Sequence, residues 1–177
     1  MIALLLCLTA HGTAAGATMQ VDYRVPSISG GWISDEDFKG RIVVLDIWAT
    51  WCGPCRMVIP HLVKMHSELK DKGVAVVGLS ADEPEGAETL ALVRAFAKEF
   101  GMSYPVGMMN AEAYATISSV MGFSLEEGMS IPTTLVIGRN GAVVKRYPGY
   151  FEGQEDEIRA IVAKLLAQKS EPPTGAP

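Results

Sequence analysis

Two stretches of the chain are hydrophobic at nearly every position. They are Ile42-Val43-Val44-Leu45-Asp46-Ile47-Trp48 and Val74-Ala75-Val76-Val77-Gly78-Leu79. A strand reads this way when both of its faces are covered, as in a sheet enclosed by helices. Between the two runs Val58, Leu62, Met65 and Leu69 recur at helical spacing, predicting a helix from just after Cys52 to about Lys70, closed by Asp71-Lys72-Gly73. Pro60 lies inside it and has no N–H for the Arg56 carbonyl, so a kink is expected there. Leu90, Val93, Phe96, Ala97 and Phe100 give a second helical face, stopped by Gly101. A third apolar strand is expected at 133–137.

The remaining elements are shorter. A strand at 21–25, a turn at Ser29-Gly30-Gly31 and Trp32-Ile33 read as a hairpin. Ser34-Asp35-Glu36-Asp37 opens a brief helical turn that Gly40 closes. A polar loop is expected at 81–88, a brief strand at 104–106, and a helix capped by Asn110 that runs to about Met121. A loop follows at 123–130. Arg139-Asn140-Gly141 is a hairpin turn, because Asn-Gly tolerates the positive φ such turns require. A return strand at 143–147 and a final helix at 152–169 complete the order, with Ile158, Ile161, Val162, Leu165 and Leu166 inward. The fold class is α/β: a central mixed sheet, parallel where strands alternate with helices, with an antiparallel edge from the Asn-Gly hairpin and helices on both faces. There is no internal repeat and no sign of a second domain.

At 177 residues the chain is long enough for one domain with a substantial core. A net charge of −5 argues against a nucleic-acid partner. No run of 18 apolar residues suggests a transmembrane helix. Residues 1–17 read as a targeting segment. Residues 2–10 are short and apolar, and Ala15-Gly16-Ala17 fits the small-x-small rule for cleavage before Thr18. The basic start of such a segment is missing, since no Lys or Arg precedes Arg24, and Cys7 follows too short an apolar stretch for a lipoprotein cysteine. Export is the expectation, to an oxidising compartment; the alternative is a retained tail in a cytoplasmic protein. The globular domain is expected at 18–169, and 170–177, with three prolines, as a disordered tail.

The cysteines are Cys7, Cys52 and Cys55, too few for a disulfide scaffold. They also make a poor zinc site, which wants four ligands. His61 and His66 are expected on the surface of the first helix, and Met108, Met109 and Met121 as core filling instead of copper ligands. No metal and no other cofactor is expected. Two cysteines spaced C-x-x-C at a strand-to-helix junction do form a chemical unit. Free N–H groups and the helix dipole favour a thiolate at the helix start, and a second thiol one turn on can close a small disulfide ring. Pro54 fits the first turn, and Gly53 leaves the first sulfur open to a partner.

Trp51-Cys52-Gly53-Pro54-Cys55 is identical to the active site of thioredoxins. Asp46, six residues before Cys52, matches their buried acid. Ile131-Pro132-Thr133 resembles their cis-proline loop, and Pro60 their helix kink. The N-terminal hairpin and an inserted helix between Ser80 and Ser103 make the chain similar to the TlpA/ResA-like extracytoplasmic thiol–disulfide oxidoreductases, over about 21–169. It departs from thioredoxin at Gly78, where the acid's lysine partner is replaced, and in a longer 123–130 segment. The resemblance implies a thioredoxin fold and exchange chemistry. Cys52 attacks a client disulfide, Cys55 resolves the mixed disulfide, and Asp46 serves as the base, its pKa raised by burial without a cation. Trp51, Gly53, Pro54, Ile131 and Pro132 would meet the client, with a cis bond before Pro132; Trp48 is expected in the core. Asp82 and Glu83 are read as solvated loop acids; the alternative, which the resemblance to the TlpA/ResA group implies, is that one of them approaches the cysteines. The implied partners are disulfide-bearing proteins and a thiol electron donor, with the protein a monomeric reductant; cytochrome c maturation is a common role in the group. Two alternatives stand beside this: a peroxiredoxin-like thiol peroxidase, and a non-catalytic thioredoxin-fold binding or metal-chaperone module.

Overall fold

The computed structural model describes residues 20–83, 86–124 and 128–168. The expected targeting segment, the tail at 170–177 and the middle of the 123–130 loop lie outside these residues. Apolar sequence runs become the middle of a sheet. β3 (Ile42–Trp48) and β4 (Val74–Ser80) are buried at every position and pair in parallel. β5 (Val106–Met108) extends the sheet beyond β4, also parallel. On the other side of β3 lie β6 (Thr133–Ile137) and then β7 (Val143–Pro148), both antiparallel, giving the order β5-β4-β3-β6-β7. The Asn-Gly hairpin therefore supplies both the edge and the neighbour of the central strand. Gly141 takes the positive φ of +79° that the turn needs.

Side chains alternate between two cores. Ile42, Val44 and Trp48 face a layer built by α1 (Cys55–Leu69), α2 (Ala87–Glu99) and α4 (Gln154–Ala167). Val43, Leu45 and Ile47 face α3 (Ala111–Met121) and the N-terminal segment, where Val21, Tyr23, Val25, Ile33 and Phe38 are buried. That segment holds a two-stranded hairpin, β1 (Arg24–Pro26) with β2 (Trp32–Ser34), followed by a 3-10 turn in which Ser34 and Asp37 close a capping box.

Several boundaries differ from expectation, each for a local reason. β1 begins at Arg24, not at 21, because the backbone of Tyr23 bonds instead to Asp35, through its N–H to the Asp35 carboxylate and its carbonyl to the Asp35 N–H. α2 starts at Ala87, before its first inward residue, so periodicity had nothing to register there. β5 lies at Val106–Met108, shifted from 104–106. Its central Gly107 looked unlike a strand, yet a Cβ there would collide with Val25, so the glycine lets the N-terminal hairpin close over the sheet edge. α4 starts at Gln154, two residues later than expected, after the left-handed Gly153. α1, by contrast, is the single helix expected, with Pro60 exposed inside it.

Candidate active site

β3 ends at Trp48 and the chain turns through Ala49 and Thr50, with the Cys52 N–H donating to the Ala49 carbonyl at 3.1 Å. Helical structure begins at Cys55, three residues after Cys52, with Pro54 as its cap. Cys52 and Cys55 are joined as a disulfide with their Cα atoms 5.3 Å apart. The first sulfur nonetheless sits at the helix start: the Cys55 N–H donates to Cys52 Sγ at 3.2 Å. That donor favours a thiolate on Cys52 once the bond is reduced. Cys55 is fully buried, while Cys52 keeps 4% of its surface. Trp51 stands beside them 70% exposed, and Gly53 and Pro54 are exposed as well.

Asp46 lies inside β3, entirely buried, between Gly78 of β4 and Thr134 of β6 in the sheet register. Oδ1 accepts a 2.8 Å hydrogen bond from Thr134 Oγ1; Oδ2 has no hydrogen-bond partner among the described residues. Burial pushes this carboxyl up to about 7, with the Thr134 hydroxyl pulling the other way. The glycine opposite is a packing necessity. A Cβ at Gly78 would come within 2.9 Å of Trp48 Nε1 and 3.2 Å of Tyr104 Cε2. An indole and a phenol ring therefore fill the space that a side chain there would need. The Tyr104 hydroxyl is pushed well above its ordinary value by burial and then by the charge of Asp46.

Asp82 corrects the expectation of a solvated acid. It is 4% exposed, and its carboxylate accepts from the Thr50 N–H at 3.0 Å, Thr50 Oγ1 at 2.5 Å and Ser80 Oγ at 2.7 Å. The loop after β4 is thus tied to the turn that leads into the cysteines. Glu83 is exposed, as expected. Arg56 reinforces the same turn. Its guanidinium donates to the Thr50 carbonyl at 3.2 Å and lies 4.9 Å over Phe96, which stacks in turn on Phe100. The helix inserted between β4 and β5 therefore reaches the redox turn through an aromatic shelf. The signals for these contacts were hydroxyls and an arginine whose partners lie far off in sequence.

The Ile131–Pro132 peptide bond is cis. Pro132 is buried and accepts from the Gly149 N–H at 2.7 Å, and Ile131 is half-buried against both cores. Trp48 is buried and stacks on Phe96. His61 faces Glu155, with 3.8 Å between Nε2 and Oε1, and His66 meets the ring of Tyr104 edge-on. Met108 is buried, and Met109 and Met121 pack against the core. Among the described residues no group of three or more His, Cys, Asp or Glu could hold a metal ion, and no helix is long and apolar enough to cross a membrane.

A mixed sheet carrying a C-x-x-C disulfide between its central strand and the first helix, with a cis-proline before β6, defines a thioredoxin fold, and the chain is a thiol–disulfide oxidoreductase. More particularly, it belongs to the AhpC/TSA family, whose pattern matches residues 17–146. It is similar to the thiol-disulfide oxidoreductase ResA of Halalkalibacterium halodurans, 28% identical over 140 residues, which are 77% of this chain and 70% of that protein. A shorter match, 39% identical over 85 residues and 48% of each chain, is to the thioredoxin-like protein YneN of Bacillus subtilis. The crystal structure of a thiol:disulfide interchange protein of the thioredoxin family from Chlorobium tepidum superposes with a TM-score of 0.71 at 26% identity, covering 85% of this chain and 97% of that one.

Proposed function

We propose that this protein reduces disulfides of client proteins outside the cytoplasm. Cys52 is the nucleophile: its thiolate attacks one sulfur of a client disulfide, forming a mixed disulfide and releasing the client's other sulfur as a thiolate. Cys55 then attacks Cys52 Sγ, the client leaves as a dithiol, and the Cys52–Cys55 bond is formed. Asp46 takes the proton of Cys55 during the second step; a carboxyl held at about 7 is suited to that transfer near neutral pH. Trp51, Gly53 and Pro54 on the exposed rim, with the Ile131–Pro132 edge, form the surface that the client chain lies against. The observation that carries the reading is a C-x-x-C disulfide whose first sulfur receives a helix N-terminal N–H, at the end of a strand that buries Asp46 with no cationic partner among the described residues. The resemblance to the TlpA/ResA-like group, in which cytochrome c maturation is a common role, supports placement outside the cytoplasm and apocytochrome c as a client class.

The test uses the reduced full-length protein with insulin as a model disulfide. Turnover should vanish in Cys52→Ser, while Cys55→Ser should accumulate a mixed disulfide with insulin. Turnover surviving in Cys52→Ser would overturn the mechanism. Consumption of hydrogen peroxide in place of insulin reduction would turn it into a peroxidase. Fractionation of the native host, with the protein in the cytosolic fraction, would overturn the location.

A further inference from the structure

Gln154 is 1% exposed, an unusual setting for the polar first residue of a surface helix. It is not there to cap α4, since its amide points into the sheet: Nε2 lies 3.4 Å from Thr134 Oγ1. Thr134 Oγ1 in turn lies 2.8 Å from Asp46 Oδ1. Once Asp46 is ionised, the chemistry fixes the direction of both bonds. An ionised carboxylate can only accept, so Thr134 must give it its single hydroxyl proton. The hydroxyl oxygen is then left with lone pairs only, and Gln154 must meet it with N–H and not with its carbonyl.

We propose that Gln154 is a positioning residue for Asp46: by donating to Thr134 Oγ1 it holds the Thr134 hydroxyl proton on the carboxylate and so sets where Asp46 titrates. Without the amide the hydroxyl is free to turn from Asp46 toward another acceptor. The consequence for thiol exchange rests on the reading of Asp46 as the base for Cys55. Among the described residues, burial and the Thr134 hydroxyl alone act on the carboxyl, and no charged side chain competes for the same control. The titratable groups on this face, among the described residues, are Tyr104 on the β4 side with His66 edge-on to it, Tyr147 paired with Thr134 on β7, Tyr150, and, once reduced, Cys52 and Cys55. On α4, Glu155 turns to His61 and Glu157 to the Tyr147 hydroxyl.

The experiment is a carbon-13 NMR titration of the Asp46 carboxyl in the oxidised full-length protein, in wild type, Gln154→Met, Thr134→Val and the double variant. Methionine keeps the buried volume and removes the amide. Thr134→Val should raise the midpoint by about one to two pH units, the size expected for one hydrogen bond to a charged acceptor. Gln154→Met should raise it by less, and should add nothing in the Thr134→Val background, because the amide acts only through the hydroxyl. Thr134→Ser should return the wild-type value and respond to Gln154→Met as wild type does, which keeps the test decisive if the valine variant fails to fold. An unmoved midpoint in Gln154→Met overturns the proposal, as does an equal shift with and without the hydroxyl. Insulin reduction by the same variants separates the two ideas. A carboxyl midpoint that moves while the pH profile of turnover stays still would leave the Gln154–Thr134 lock standing and remove Asp46 as the base.

Discussion

Replacing Asp46 with asparagine should stabilise the oxidised protein at alkaline pH and destabilise it in acid. The carboxyl is fully buried and titrates at about 7 in the folded protein, against 3.8 for the ordinary group. The folded state therefore holds its proton over a range of pH in which the unfolded chain has lost it. Stability from this group is complete below pH 3.8, falls as the pH rises, and levels off above about 7. The rise from 3.8 to about 7 corresponds to roughly 4 kcal/mol. Asparagine removes that penalty and still accepts from Thr134, but its Nδ2 takes the place of the unpartnered Oδ2 and brings a buried donor costing about 1–3 kcal/mol. Asp46→Asn should thus be the less stable protein near pH 4, by that amount, and the more stable one near pH 8, by about 1–3 kcal/mol. Urea unfolding of the two oxidised proteins between these limits measures the difference from the shift in midpoint at constant slope. Other ionisable groups contribute alike to both, so the difference between the proteins should change by about 4 kcal/mol across the range. A difference that stays flat with pH would mean that Asp46 is not carrying a raised pKa and would remove the basis for its role as a proton acceptor.

Asp82→Ala should strand the Thr50 N–H and two hydroxyls in a buried turn, lowering stability by about 3 kcal/mol. At this chain length that is roughly 6–12 °C in Tm, with Asp82→Asn losing less because it keeps an acceptor; a melt at the wild-type temperature would refute the link. Gly78→Ala should lose about 1–3 kcal/mol to overpacking, because its Cβ meets the Trp48 indole and the Tyr104 ring. Thermal unfolding together with the emission of Trp48 checks it, and a neutral substitution would show that the two rings can move apart.

The sheet was legible because burial writes itself into sequence. Ile42–Trp48 and Thr133–Ile137 are apolar enough to be placed residue for residue. The C-x-x-C pair is a local pattern, whereas the burial of Asp46 and the cis bond before Pro132 were legible only through the resemblance to thioredoxin; the structure has the disulfide, the buried acid and the cis bond. Long-range polar contacts were not legible. Asp82 reads like any loop acid until Thr50, 32 residues earlier, is seen to offer it an amide and a hydroxyl. Gln154 reads as a helix-start polar residue, and nothing near it announces Thr134, 20 residues before. β5 was displaced because its glycine is explained by neighbours remote in sequence, above all Val25, which arrives from the N-terminal hairpin. Propensity and periodicity describe a residue's own strand or helix; these features depend on a neighbour brought by topology.

The two flanks of Asp46 explain why its control has to come from hydroxyl and amide groups. On the β4 side the register puts Gly78 beside it, and the room that a side chain there would need is occupied by Trp48 and Tyr104. A cation could enter from that strand only by displacing two buried rings, one of them stacked on Phe96, which also carries Arg56 above the redox turn. The aromatic packing that steadies the turn before the cysteines is therefore the same packing that excludes a lysine from the acid. What is left is the β6 side, where Thr134 stands opposite Asp46 and the first turn of α4 brings Gln154 over it. A single neutral donor moderates the desolvation of a carboxylate without cancelling it. That balance holds the group near neutrality, whereas a nearby cation would return it toward the ordinary acidic range. The glycine at position 78 and the polar pair on the opposite flank belong to one arrangement.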